Sequence, residues 1–253
     1  MKRFQLLLTA CLLLMATTAS AQFSNTGGSG SKSKSGSVLS MDTESYNRIY
    51  VGYSPFNAKC SDNNYKDLKM NGFTAGYLHG FSLSEKLPLF LEVGGNIQYF
   101  MGKVDSEIEH YDPYYDYDYV EETKSKYSLL SLNIPVNLAY KFSFADNTLG
   151  VTPFVGLNFR ANLMGKLKST YSYMEGSEST DCSLFDDSMD KMGDDAWKRF
   201  QVGFNAGVNL NYKAFSLGVY YTADFMPISK LKDENKEIKY NVGITTISLG
   251  FSF

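Results

Sequence analysis

The chain has 253 residues, of which 43% are hydrophobic and 15% aromatic, and its formal net charge is −3. An acidic chain lacks the basic surface that nucleic acid requires, so we expect no nucleic-acid partner. Beyond the N-terminus there is no run of about 18 apolar residues, which excludes a membrane-spanning helix but leaves membrane-spanning strands open.

The N-terminus predicts a secretory signal peptide over residues 1–21. A basic start, MKR, is followed by the apolar run FQLLLTACLLLMA and by a small-x-small triplet at 19–21, which is the order of a cleaved signal. Its removal takes away the positive charges of Lys2 and Arg3, so the formal charge goes from −3 to −5.

Residues 22–45 are predicted to form a flexible periplasmic tail. Their sequence is rich in Ser, Gly and Lys (SNTGGSGSKSKSGS) and offers few side chains that could be buried, which is typical of disordered linkers. The folded domain is therefore expected to span residues 46–253.

From Tyr46 onward the chain repeats one pattern, an alternation of apolar and small polar side chains. Alternation of this kind indicates strands with two different faces. It occurs eight times, in the segments 48–53, 73–78, 87–99, 130–142, 151–163, 200–212, 215–225 and 246–253.

The connections between these segments alternate in length. Three are tight turns, at 83–86, 145–148 and 213–214, and four are long and charged, at 54–71, 102–126, 165–198 and 227–238. Short periplasmic turns opposite long extracellular loops are the layout of outer-membrane barrels.

Two barrels fit the alternation, a soluble lipocalin-like barrel with apolar side chains inside and a membrane barrel with apolar side chains outside. The polar face carries Gly, Asn, Ser and Thr rather than the Lys and Glu of a soluble surface, and aromatic residues cluster near the strand ends. We therefore predict an all-β fold, an eight-stranded antiparallel transmembrane β-barrel in outer-membrane lipid, with both termini periplasmic.

Two stretches resemble a known family. The segment SLNIPVNLAYKF, residues 131–142, and the final SLGFSF are similar to strands of the small outer-membrane β-barrel ("porin family") proteins common in Bacteroidota. The resemblance covers Tyr46 to Phe253 and implies a fold without shared catalytic residues. The terminal Phe253 and Phe251 also resemble the signal by which the barrel-insertion machinery recognises such barrels.

Six charged residues fall on the inward register of the predicted strands. Three are expected near the periplasmic end and three near the outer end, respectively Arg48, Glu92 and Lys141, and Arg160, Arg199 and Asp224. The interior of an eight-stranded barrel holds only side chains, so these charges are expected to form structural ion pairs. The alternative is a selectivity ring in a conducting pore.

The second long loop, 102–126, interleaves eight carboxylates with five tyrosines. Tyrosine-rich, hydrogen-bonding loops are typical of adaptable recognition surfaces, and the alternative is a solvated acidic surface. The candidate binding residues are His110, Tyr111, Tyr114, Tyr115, Tyr117 and Tyr119.

Two further groups of loop residues are candidate structural sites. Asp186, Asp187 and Asp190 offer oxygen ligands for Ca²⁺ but lack the spacing of a calcium loop, so they form a weak calcium candidate and no metal site is predicted. Cys60 and Cys182 lie in the first and third long loops and would form a disulfide across the barrel mouth, the alternative being two unpaired thiols.

The function suggested by these features is anchoring and presentation. Nothing in the sequence supplies an oxyanion hole or a nucleophile elbow, so we expect no enzymatic activity and no cofactor. The leading hypothesis is a barrel whose acidic, tyrosine-rich loops bind or scaffold a surface ligand. The alternatives are a narrow passive channel for small solutes and an accessory subunit of a larger envelope secretion or uptake complex.

Overall fold

The computed structural model describes residues 39–40, 43–63, 65–112, 117–144, 148–173, 176–185, 197–233 and 236–253, and the side chains of 39–40, 106–121, 173 and 230–237 are outside this description. The predicted signal peptide 1–21 therefore lies outside the described residues. Of the predicted tail, residues 22–38 and 41–42 also lie outside the described residues. The compact unit that contains the strands runs from Leu39 to Phe253. No helix in the described part of the chain is long and apolar enough to cross a membrane.

The described residues form thirteen strands in one antiparallel sheet. The strands are β1 (Leu39–Ser40), β2 (Tyr46–Tyr53), β3 (Phe56–Cys60), β4 (Leu68–Ser82), β5 (Leu89–Asp112), β6 (Tyr117–Tyr140), β7 (Phe142–Phe144), β8 (Leu149–Tyr173), β9 (Gly176–Ser183), β10 (Phe200–Tyr212), β11 (Phe215–Asp224), β12 (Ser229–Asp233) and β13 (Lys236–Ser252).

The sheet closes on itself around eight strand positions. β2 pairs with β4, and the pairing continues through β5, β6, β8, β10, β11 and β13 back to β2. β3, β7 and β12 prolong β2, β6 and β11, because each pairs with neighbours of the strand that it follows. The all-β, eight-stranded antiparallel ring predicted from the sequence is thus confirmed.

The two ends of the ring differ. The connections β4–β5, β7–β8 and β10–β11 are short and lie at one end, here named the short-turn end, where Lys213 adopts a positive φ of 52°. The C-terminus lies at the same end, since Phe253 and Asn47 exchange two backbone hydrogen bonds of 3.0 Å. The opposite end, which carries the longer hairpins, is named the hairpin end.

Apolar side chains point outward over the wall nearer the short-turn end. Val51 on β2, Ile97 on β5 and Leu249 on β13 are 60%, 53% and 65% exposed, whereas the small polar residues between them, such as Asn96 and Ser248, are buried. Exposed apolar residues encircle the ring, which is the arrangement of a lipid-facing surface. This apolar belt includes Ile49, Val51, Phe73, Ile97, Leu132, Leu138, Leu157, Leu210, Leu217, Val219, Ile247 and Leu249.

Toward the hairpin end the strands continue, but the polarity of their two faces is exchanged. On β3, Phe56, Ala58 and Cys60 are buried and point inward, while Asn57 and Lys59 are exposed. Even-numbered residues point inward here, as they do in β2. Only their chemistry changes from polar to apolar, so the wall here has a hydrophobic interior and a water-facing outer surface. We name this part the hairpin extension, formed by the described residues 56–60, 68–71, 101–112, 117–126, 164–173, 176–183 and 236–244.

The long connections predicted as loops are largely strands, which corrects the sequence interpretation. The segment 102–126 continues β5 and β6 with unbroken pairing from Lys103 opposite Lys126 to Asp112 opposite Tyr117. The segment 54–71 contains β3, 165–198 contains β9, and 227–238 contains β12. Backbone groups beyond the belt are satisfied by further ladder hydrogen bonds, so the barrel wall does not end where the apolar belt ends.

The belt predicts how a single charge affects stability at two heights of the wall. Replacing Ile97 by Arg is expected to lower the free energy of unfolding by about 2–4 kcal/mol, because the charge enters the hydrocarbon. The control Asn57→Arg, on an exposed position of the extension, is expected to change it by less than about 0.5 kcal/mol. Urea titration in lipid vesicles measures both. Equal effects at the two positions would contradict the assignment of the belt.

Candidate functional site

A buried ion pair lies inside the ring where the belt meets the hairpin extension. Arg160 on β8 and Asp224 on β11 are 0% and 1% exposed at the side chain, and the Arg160 Nη2 atom donates a hydrogen bond to Asp224 Oδ2. The same Nη2 donates to Gln201 Oε1 of the intervening strand β10 at 2.7 Å. The pair therefore ties three neighbouring strands together through Arg160 Nη2, while Arg160 Nε and Nη1 and Asp224 Oδ1 are buried without a hydrogen-bond partner among the described residues.

A second charged cluster lies at the short-turn end. Arg48 and Glu92 are buried, with 3.7 Å between Arg48 Nη1 and Glu92 Oε1. Glu92 also accepts hydrogen bonds from the Tyr46 hydroxyl and, at 3.4 Å, from Asn137 Nδ2. The Lys141 ammonium lies 5.5 Å from the centroid of the Tyr46 ring. The three charged residues predicted for this end are thus brought to one place.

Asparagine side chains link the walls between the two charged clusters. Asn158 Nδ2 donates to Asn133 Oδ1 at 3.2 Å, and Asn133 Nδ2 donates to Asn96 Oδ1 at 3.2 Å. Asn205 Nδ2 donates to Asn137 Oδ1 at 3.1 Å in the same way. The first two bonds join adjacent strands, β8 to β6 and β6 to β5, and the third joins β10 to β6 across the intervening strand β8.

The space left in this polar interior is small. One cavity of about 40 Å³ lies among Arg48, Glu92, Asn137 and Asn209, and another of about 50 Å³ opens near Lys141. A water molecule takes up about 30 Å³ of liquid, so each cavity has room for one or two waters. Among the described residues, side chains fill most of the polar interior.

An apolar cluster fills the interior of the hairpin extension. Its buried members come from strands around the ring and from the segments that flank them, and include Phe56, Met70, Phe100, Leu129, Leu167, Leu184, Trp197, Ile228, Val242 and Ile244. The Tyr127 and Trp197 rings stack at 6.2 Å between centroids. We name this cluster the apolar cap, because it lies above the polar interior at the hairpin end. The sequence interpretation missed the cap.

A model of a known family matches this sequence. The family is described as the outer membrane protein beta-barrel domain, and the match spans residues 62–233, more than half of the chain. The chain belongs to this outer-membrane barrel family. Family membership, the closed ring and the apolar belt together place the protein in a bacterial outer membrane. No curated protein matches the sequence.

Several solved outer-membrane proteins match this chain at low identity and low TM-score. The attachment invasion locus protein Ail of Yersinia pestis is 16% identical, with 83% of this chain and 99% of that chain covered and a TM-score of 0.36. Neisserial surface protein A is 14% identical, with coverages of 81% and 97% and a TM-score of 0.37. OprG of Pseudomonas aeruginosa is 11% identical, with coverages of 84% and 98% and a TM-score of 0.37.

Arg199 does not join the barrel interior, which corrects its predicted position. Its side chain is exposed, its Nη1 donates to the Leu163 carbonyl oxygen at 3.4 Å, and its guanidinium lies 4.7 Å from the centroid of the Phe185 ring. β10 begins at Phe200, so Arg199 lies in the bend before the strand, where the alternation that predicted an inward position no longer holds.

The two loop cysteines are not joined by a disulfide in this structure. Cys60 is buried on β3, which pairs with β4 and β13, whereas Cys182 lies on β9, which pairs with β8. These strands occupy different sides of the ring, and both sulfur-bearing side chains lie against the hydrophobic interior of the extension. The alternative of two thiols is the one that the structure contains.

The tyrosine-rich segment forms the tip of the β5–β6 hairpin. His110 pairs in register with Tyr119, Tyr111 with Asp118, and Asp112 with Tyr117. Tyr114 and Tyr115 lie outside the described residues, as do the candidate calcium ligands Asp186, Asp187 and Asp190.

The terminal phenylalanines lie on the outer surface of β13. Phe253 is 65% exposed and stacks on Phe251, with 6.4 Å between ring centroids. Phe251 in turn contacts Phe215 of the adjacent strand at 5.6 Å. The last residues therefore extend the apolar belt at the short-turn end.

The buried pair predicts a specific result for a double-mutant cycle. Asp224→Asn is expected to lower the free energy of unfolding by about 3–5 kcal/mol, because it leaves the Arg160 charge buried without a counter-charge. The double variant Arg160→Met/Asp224→Leu is expected to recover most of this loss. Urea unfolding in lipid vesicles measures all variants. A double variant as unstable as the single one would show that the pair does more than neutralise its own charges.

Proposed function

We propose that this outer-membrane barrel is a closed anchor that presents its β-hairpins at the cell surface, where they bind or scaffold a partner without catalysing a reaction. The observation that carries the proposal is the filled interior: among the described residues, the polar cavities have room for only one or two waters each, and the apolar cap lies above them. A barrel closed in this way has its functional surface on the outside.

The shape of the wall supports presentation at the surface. β5 and β6 continue past the apolar belt to Asp112 and Tyr117, and β6 residues 117–121 pair with β5 alone among the described strands. The hairpin tip is thus a two-stranded ribbon that stands beyond the ring. Its acidic, tyrosine-rich sequence provides hydrogen-bonding and aromatic groups for recognition.

The orientation follows the layout of barrels of this type. The short turns and both ends of the folded domain face the periplasm, and the hairpin extension faces outward. In this orientation Phe253 and Phe251 face the lipid at the periplasmic side, where the barrel-insertion machinery acts on the last strand.

Cysteine labelling on intact cells tests the orientation. In a Cys60→Ser/Cys182→Ser background, Tyr117→Cys at the start of β6 is expected to react with a membrane-impermeant maleimide. Ser84→Cys, in the β4–β5 turn, is the matched control and is expected to react only after the outer membrane is permeabilised. Labelling of Ser84→Cys but not of Tyr117→Cys on intact cells would reverse the orientation and remove the basis for surface presentation.

Planar-bilayer recordings test the closed interior. The wild-type protein is expected to give no steady conductance, because side chains and the apolar cap interrupt any water path. The competing channel function predicts steady conductance whose ion selectivity changes in Arg160→Gln/Asp224→Asn. Observation of that selectivity change would replace the anchor by a channel.

A further inference from the structure

A groove of about 1050 Å³ lies on the outside of the wall at the level where the apolar belt gives way to the hairpin extension. Its belt side is apolar, with Met101, Leu163 and Met164 exposed by 46%, 47% and 55%. Its other side carries a set of cations from β5, β6 and β8. The groove therefore joins a surface that favours hydrocarbon to a surface that favours anions.

The cations form a row across three adjacent strands. Lys103 lies directly opposite Lys126, and Lys126 lies directly opposite Lys168. All three side chains point outward and are exposed. Like charges placed directly opposite each other on one sheet face are destabilising. The continuous basic row at this height therefore lowers the stability of the wall.

Few acidic side chains offset the row. Asp181 on β9 lies opposite Lys168 and also lines the groove. Within the described part of the chain, no carboxylate lies within ion-pair distance of Lys103, Lys126 or Lys168. Further positive charge comes from the groove residues Lys69, Lys166 and Arg199. The groove is strongly basic even though the chain as a whole is acidic.

We propose that this groove binds the phosphate groups of a lipid headgroup in the outer leaflet, with the lysine row on the phosphates and the exposed apolar side against the acyl chains. The leaflet assignment rests on the orientation given under the proposed function. The binding chemistry rests on the groove itself, because lysines near a membrane surface attract anionic headgroups.

A lipid fits the groove better than a soluble anion does. A soluble polyanion would contact the lysine row but not the exposed apolar side chains Met101, Leu163 and Met164 beside it. A phosphorylated lipid uses both sides at once, since its phosphates and its chains lie at adjacent heights in the membrane. On β5 the row lies directly beyond Met101, the last apolar outward residue, and on β8 it lies one outward position further, beyond Met164 and Lys166. This height corresponds to the headgroup layer.

The test compares binding of defined lipids to the purified, folded barrel. The probes are lipid A that carries its phosphates and the same lipid A after dephosphorylation, and binding is measured by titration into the barrel in detergent and by native mass spectrometry. Lys126→Gln/Lys168→Gln is expected to weaken binding of the phosphorylated form roughly tenfold or more. The matched control Lys86→Gln/Lys213→Gln loses the same charge in the periplasmic turns and is expected to bind as the wild type does.

Three results would overturn the proposal. One is equal binding of phosphorylated lipid A to the wild type and to Lys126→Gln/Lys168→Gln. The second is equal binding of the phosphorylated and dephosphorylated forms. The third is tighter binding of a soluble sulfated polysaccharide than of the lipid at the same residues. Binding in detergent does not depend on orientation, so failure of the labelling test on cells and failure of this test are separate outcomes.

Discussion

The structure depends on one constraint, that backbone N–H and C=O groups in hydrocarbon must find hydrogen-bond partners within the protein. The ring meets it by closing, with β13 paired to β2 from Ile247 opposite Tyr53 to Ser252 opposite Arg48. Closure around eight strand positions fixes a narrow interior. Small polar side chains fill it, and the charges within it are paired, as Arg160 is with Asp224. The filled interior is a consequence of the closed wall.

The same wall continues past the membrane, and there the solvent on its outer side changes from lipid to water. In the first strand position, even-numbered residues point inward both in β2 and in β3. The inward side chain is the charged Arg48 near the short-turn end and the aromatic Phe56 in the extension. An apolar interior then stabilises the extension in the way that it stabilises a soluble domain. The apolar cap and the basic groove are two results of this exchange, one inside the wall and one outside it.

Much of this could be predicted from the sequence, because period-two alternation is strong where one face meets lipid. It gave the eight strand positions, the outward rows such as Ile247 and Leu249, and the inward positions of Glu92 and Asp224. The hairpin extension was missed because its alternation has reversed polarity. The segment FNAKC at 56–60 shows this pattern. It could have been found by assuming that even-numbered residues keep pointing inward, whether they are polar or apolar. The lysine row could not be predicted, since it depends on the register between β5, β6 and β8.

The exchange of face polarity is tested most directly by spin labels placed one at a time on outward positions of β5, at residues 97, 99, 101, 103 and 105, in a cysteine-free background in lipid vesicles. Collision with oxygen reports lipid, and collision with a water-soluble nickel complex reports water. We predict dominant oxygen access at Ile97 and Tyr99 and dominant nickel access at Lys103 and Asp105, with the crossover near Met101. Oxygen access that persists to Asp105, or nickel access already at Ile97, would contradict the account.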